Sequence, residues 1–185
     1  MHELKESVGV SERFRALSCR LNQLSYKSFP KIHGEAIIIV RDAESLKIIR
    51  RQKVKNVITN AALSFFASLL ANPFTNTHIP ESSTTRVRNS WQLRLGTGTG
   101  TPSPTDTDLF NPISGSYKSG SVSSSGATTQ YYVRYMPEDA NGYTYTEAGI
   151  FENNGDTMIN HLMLSPTLTK DSSKLVDFYV TITFS

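Results

Sequence analysis

The sequence predicts a mostly β fold: an antiparallel β-sandwich, jelly-roll-like, with one helix packed on it and an N-terminal arm. Three observations predict it. From Trp91 onward, short runs rich in β-branched and aromatic residues alternate with turn clusters such as Asn141–Gly142, the spacing of an all-β sandwich. No helical pattern follows each of those runs, as a parallel α/β sheet requires. The final run, "KLVDFYVTITF", alternates Val176, Phe178, Val180, Ile182 and Phe184 with Asp177, Tyr179, Thr181 and Thr183, which is a strand with one buried face. At 185 residues the chain has room for one domain with a real core.

Residues 1–30 read as a docking arm. Ser11 caps a short amphipathic helix in which Phe14, Leu17, Leu21 and Leu24 recur at three- and four-residue steps. One apolar stripe without a domain of its own needs a surface to lie on. The body, residues 31–185, opens with "EAIIIVRDAESLKIIRRQKV", two β-branched runs around the turn composition "DAES", hence an antiparallel hairpin. Asn56 is then expected to cap a helix over 56–71, with Ile58, Ala62, Phe65, Phe66 and Leu69 inward and Asn72–Pro73 as its stop. Strands follow at "WQLRL", Thr128–Met136, Tyr143–Phe151, "TMINHLML" and the final run. Asn141–Gly142 and Asn153–Asp156 are the turns between the later ones. The Ser/Gly stretch Ser114–Gln130 is either a flexible loop or a long hairpin tip.

Charge is unevenly distributed. Residues 1–55 hold twelve of the nineteen Lys and Arg but six of the sixteen Asp and Glu, so a basic leading part joins a mildly acidic remainder. That split suggests docking to an acidic neighbour. Nucleic acid is not the expected partner, because "RRQKVK" lacks the interleaved aromatics of single-strand binders. The longest apolar stretch, Ala61–Ala71, is too short to span a bilayer, and no secretory signal is expected at "MHELKESVGV". A lone cysteine, Cys19, excludes an internal disulfide and suits a reducing compartment.

The stretch "LRLGTGTGTPSPTDTDLF" invites comparison with phosphate loops. Its glycines fall at 96, 98 and 100, with Thr101 where a dinucleotide fingerprint needs the third, and no Gly-Lys-Ser/Thr occurs. Two prolines then keep a helix from starting, so no helix N-terminus is available to hold phosphate. The expected role is a connector of extended backbone. His2, His33, His78 and His161 show no metal-ligand spacing. Cys19 reads as a small apolar contact. Glu138–Asp139 and Asp106/Asp108 read as ordinary loop acids, weak cation binding being the alternative. Glu147, inside "YTEAGIF", reads as a fixed acceptor for a nearby loop rather than a general acid. No catalytic residue, cofactor-binding residue or metal ligand is assigned, and no cofactor is expected.

Three segments in order, "VKNVITNAALSFFASLL", "LRLGTGTGTPSPTDTDL" and the stretch from Asn141 to Phe184, resemble a family of tailed-bacteriophage structural proteins. The resemblance covers Gly34 to Ser185. Its shared features are matched by Lys55–Asn60, Gly96–Leu109, Glu147–Phe151, Lys170 and Val180–Phe184, while residues 1–30 have no match. It implies a non-enzymatic virion protein, assembled in the host cytoplasm, that forms homo-oligomers. Such a protein connects neighbouring virion proteins or fibres in the tail, neck or baseplate, through its basic arm and first hairpin. The alternatives are a capsid decoration protein and a module binding a host receptor or carbohydrate, for which strand tyrosines such as Tyr131, Tyr132, Tyr135, Tyr143 and Tyr145 would be stacking surfaces. Exposed strands at the sheet edge are expected to pair with neighbours.

Overall fold

The computed structural model describes residues 31–71, 91–152 and 157–185, without the side chains of 68–71. The arm helix, Cys19, the Asn72–Pro73 stop and the Asn153–Asp156 turn lie outside the described residues. The compact body runs from Ile32 to Phe184.

The first hairpin forms as its alternation requires. Strand β1 (Ile32–Asp42) pairs antiparallel with β2 (Ile48–Ile58), setting Ala36 opposite Val54 and Ile38 opposite Gln52. The "DAES" turn is closed by Asp42, whose Oδ1 accepts from the Ser45 amide at 2.8 Å and the Ser45 hydroxyl at 2.7 Å. This is the local bond for which Asp is favoured in turns.

Helix α1 (Asn60–Ala71) begins four residues later than the sequence reading placed it. Asn56 is not its cap. It lies in β2, opposite Gly34 on one side and Leu162 on the other. The cap is Thr59, whose Oγ1 accepts from the Ala62 amide at 3.0 Å. Val57 and Ile58 explain the shift, since β-branched residues favour continuing the strand. Ala62 is fully buried, and Phe65 and Phe66 pack on the core, with the Phe66 ring 5.6 Å from that of Phe184. Ile58, expected inside the helix, belongs to β2.

The remaining strands are β3 (Trp91–Gly96), β4 (Lys118–Ser119), β5 (Ser121–Ser125), β6 (Thr128–Tyr135), β7 (Tyr143–Glu152), β8 (Thr157–Lys170) and β9 (Lys174–Phe184). The Ser/Gly stretch therefore resolves largely into a hairpin, β5 pairing with β6 across the turn at Gly126. The nine strands among the described residues join in one sheet of order β4-β3-β7-β8-β2-β1-β9-β6-β5, antiparallel throughout. The expectation of a mostly antiparallel β body with one helix holds among the described residues. Two separately bonded sheets are not what the pairing gives; the hydrogen bonds form a single curled, barrel-like sheet.

The closure can be located. The two strands at opposite ends of the order, β4 and β5, are separated in sequence by Gly120 alone. Across the interior, Tyr131 donates its hydroxyl to the carbonyl of Trp91 at 2.9 Å, and Tyr135 donates to those of Leu93 (3.1 Å) and Ser116 (2.8 Å). Ile38, Leu93, Ile150, Leu162, Phe178 and Val180 fill the space between. The end strands are short, two residues in β4 and five in β5, and joined through one residue.

Gly120 is forced by this path: a Cβ there would fall 2.0 Å from the Tyr132 carbonyl oxygen. Replacing Gly120 with Ala must displace the backbone where the sheet closes. We expect a loss of about 3 kcal/mol, the upper part of the range for overpacking, read as a lower urea midpoint at unchanged slope.

Candidate functional site

The chemistry gathers on the outer face of β3, β7 and β8, beneath the glycine loop. In β7, Ala148 and Ile150 face inward, so Glu147 points outward on the alternate face. Its carboxylate is nevertheless fully buried. The loop following β3 folds back over it, with the Thr97 amide donating to the Asn111 carbonyl at 2.9 Å and the Ile113 amide to the Leu95 carbonyl at 3.1 Å. Glu147 Oε1 accepts from the amides of Gly98 (2.9 Å) and Asn111 (2.8 Å), and Oε2 from that of Phe110 (2.9 Å). The expected role of Glu147, acceptor for a nearby loop, is what this geometry shows.

Two of the loop's three glycines, Gly96 and Gly98, meet the same carboxylate. A Cβ on Gly96 would sit 2.4 Å from Glu147 Oε1, and one on Gly98 would sit 2.6 Å from it. Only bare backbone approaches a carboxylate this closely. The loop does cradle an anion, and the anion is the protein's own.

His161, on β8 and paired with Gly149, completes the cluster. Its Nε2 lies 2.9 Å from Glu147 Oε2 and its Nδ1 lies 2.7 Å from Asp106 Oδ2. Asp106 Oδ2 also accepts from the Ser103 amide at 2.8 Å, and the Phe110 ring lies 4.7 Å from the imidazole. With a carboxylate at each nitrogen the ring donates from both, as an imidazolium. The two nitrogens face opposite ways, so the three side chains do not converge on one point. Among the described residues no group of His, Cys, Asp and Glu is arranged to hold a metal ion.

The electrostatics follow from these contacts. Burial works to raise the Glu147 pKa, but His161 and the amides of Asn111, Phe110 and Gly98 outweigh it and hold the carboxyl below its usual 4.5. Burial works to lower His161, and Glu147 and Asp106 outweigh that, leaving it above its usual 6.5. Both side chains are at 0% exposure, so neither offers a face to a bound molecule. What this cluster does is fix the loop.

Two further buried charges act in the same way. Asp177, on the polar side of the final strand's alternation, is fully buried. It accepts from Arg134 Nε at 2.6 Å, Arg41 Nε at 3.1 Å and the Tyr132 hydroxyl at 3.0 Å. Burial opposes ionisation there, and Arg134, Arg41 and Tyr132 together keep the carboxyl below its ordinary value. Lys170 is 1% exposed and donates to Asn141 Oδ1 (2.8 Å) and to the carbonyls of Asp171 (3.0 Å) and Pro137 (3.3 Å). It ties down the turn before β7, and burial lowers its pKa.

The other candidates disperse. Asp108 is exposed and caps only the next amide, while Asp139 pairs with Lys118 and Glu138 points to solvent. His33 is exposed on β1, and His2 and His78 lie outside the described residues. Of the strand tyrosines, Tyr131, Tyr135 and Tyr145 are buried and hydrogen-bonded. That leaves Tyr143 as the most exposed of the five. Sequence reasoning missed His161, Asp177 and the union of Asp106 with His161. The one available signal for the first was a histidine placed inside an apolar strand.

No helix among the described residues is long and apolar enough to cross a membrane. No family model matches the chain, and no curated protein or solved structure matches it.

The cluster predicts a stability profile with two limbs. The depressed Glu147 stabilises above the unfolded carboxyl range, and that contribution is lost as pH falls through its folded value. The raised His161 stabilises fully below about 6.5, and its contribution is lost as pH rises through its folded value. Thermal midpoints should therefore peak between the two and fall on both sides, and His161→Asn should flatten the alkaline limb. Glu147→Gln should cost about 3–5 kcal/mol, the penalty for removing one partner of a buried ion pair, measured by urea unfolding near pH 6.

Proposed function

We propose that the chain is a non-enzymatic structural component of a tailed-bacteriophage virion. It oligomerises in the tail, neck or baseplate region, joining neighbouring virion proteins or fibres through its basic N-terminal segment and first hairpin. The observation that carries this reading is the use made of the residues behind the resemblance. Gly96, Gly98, Glu147 and Lys170 all serve to lock loops onto a nearly closed sheet. A part repeated many times in a symmetric particle must present the same surfaces in every copy, and buried charge pairs that hold loops in one conformation meet that need.

Support for a role without catalysis comes from the same place. Glu147 and His161, the groups best suited to proton transfer, are sealed from solvent and committed to fixed partners. We also read the curled sheet as flattened into two facing halves, the jelly-roll-like sandwich of the sequence expectation. Tyr131 and Tyr135, which reach from β6 to carbonyls of β3, support that view.

The test is antibody labelling of washed particles from the phage that encodes this chain, viewed by electron microscopy. The reading expects regular label at one fixed axial position on the tail, neck or baseplate. Label spread over the head would assign a decoration role instead. Absence of the chain from particles, checked by mass spectrometry, would overturn the reading.

A further inference from the structure

The β1–β2 hairpin ends in an apolar tip that the fold leaves uncovered. Leu46, Ile48 and Ile49 are 57%, 54% and 57% exposed, the three most exposed large aliphatic residues among those described. Leu46 also sits at φ 58°, a left-handed conformation that is strained for a side-chain-bearing residue. Each such aliphatic would gain by leaving water. Strain and exposure coincide at one projecting turn. Around it, residues 43–55 carry Lys47, Arg50, Arg51, Lys53 and Lys55 against Glu44 alone, and among the described residues Lys53 pairs with Glu35.

A concave surface of the complementary kind lies beside β3. A cavity of about 260 Å³ is lined by Arg94, Asp108, Pro112, Ile113 and Tyr117 among others. It is smaller than the ~300 Å³ at which small-molecule sites begin, yet roomy for an aliphatic side chain. Its rim is apolar where Tyr117 stands 61% exposed, with Phe110 nearby in sequence at 42%. The segment 96–117 that forms most of it holds Asp106 and Asp108 and no Lys or Arg. Asp106 is engaged by His161, and Asp108 is the exposed acid of the pocket lining, its Oδ1 accepting from the Leu109 amide. Arg94 also lines the pocket, its guanidinium stacked 4.2 Å from the centre of the Phe151 ring.

We propose that the Leu46–Ile49 tip of one copy seats in the Asp108–Tyr117 pocket of the next, with Lys47 beside Asp108. This deepens the reading of the chain as a homo-oligomeric particle component and rests on it. Tip and pocket are different surfaces of one rigid body, so the contact is head-to-tail and repeats until a ring closes. A single knob in a single pocket buries little area and binds weakly. Ring closure supplies the missing strength, because each further contact becomes intramolecular.

Disulfide trapping on the full chain tests this. In a Cys19→Ser background, Ile48→Cys combined with Tyr117→Cys should give, on mild oxidation, a ladder of dimers, trimers and longer species. Either cysteine alone should give at most dimers. Adding Asp108→Lys should abolish the ladder, and adding Lys47→Asp to that variant should restore it, with circular dichroism showing the same fold throughout. A double-cysteine chain that ladders no further than the single variants, or a ladder indifferent to Asp108→Lys, overturns the contact. The outcomes separate from those of particle labelling. A ladder from a chain absent from particles keeps the contact and sinks the virion role, and incorporation without a ladder does the reverse.

Discussion

A carboxylate taken out of water must be compensated by donors or by opposite charge, or it will not stay ionised. Glu147 meets that condition with three backbone amides and one imidazolium, and much of the outer surface is organised by the way it does so. The amides belong to both limbs of one loop, so the loop has a single path compatible with the charge. That path brings bare backbone at Gly96 and Gly98 against the carboxylate. It brings Asp106 to the far side of His161, and it lets the Pro104 carbonyl accept the amide of Asn60 at 2.7 Å, joining loop to helix start. One buried charge thereby couples β7, β8, the glycine loop and the beginning of α1.

The rest of the body repeats this economy at other places. Asp177 draws together Arg134 of β6, Arg41 of β1 and its own strand β9. Lys170 draws together the turns on either side of β7 and β8. Each is a buried charge whose hydrogen bonds come from segments distant in sequence, and each would be costly to leave half-satisfied. Beneath them the apolar faces of the longer strands turn inward, and Gly120 joins the two end strands of the nearly closed sheet. The result is a body whose surfaces are determined by its interior, with one apolar turn left projecting.

The sequence made some of this legible and hid the rest for identifiable reasons. Period-two alternation revealed the strands because one face of each is buried, as Val176, Phe178, Val180 and Ile182 illustrate. Glu147 stood out because a carboxylate among apolar strand residues needs donors. The helix start was misread because Asn56 has the composition of a cap, while the residues that decide, Val57, Ile58 and Thr59, speak only once the pairing of β2 with β8 is known. The single curled sheet was hidden because its curl depends on which distant strands pair. Nothing local distinguishes two stacked sheets from one that curls. His161 and Asp106 lie 55 residues apart, and Asp177 falls on the nominally polar face of its strand, so their burial comes from packing that no local pattern records.

The central claim is that the glycine loop is held rigid by a buried charge, as firmly as the strands beneath it. Amide hydrogen exchange of Gly98, Phe110 and Asn111 measures this directly, since these three amides are spent on Glu147. The account predicts that they exchange only through the opening that releases the core of β7 and β8, and so match those strands in protection. Exchange at the rate of a free surface loop, while the strands stay protected, would contradict it.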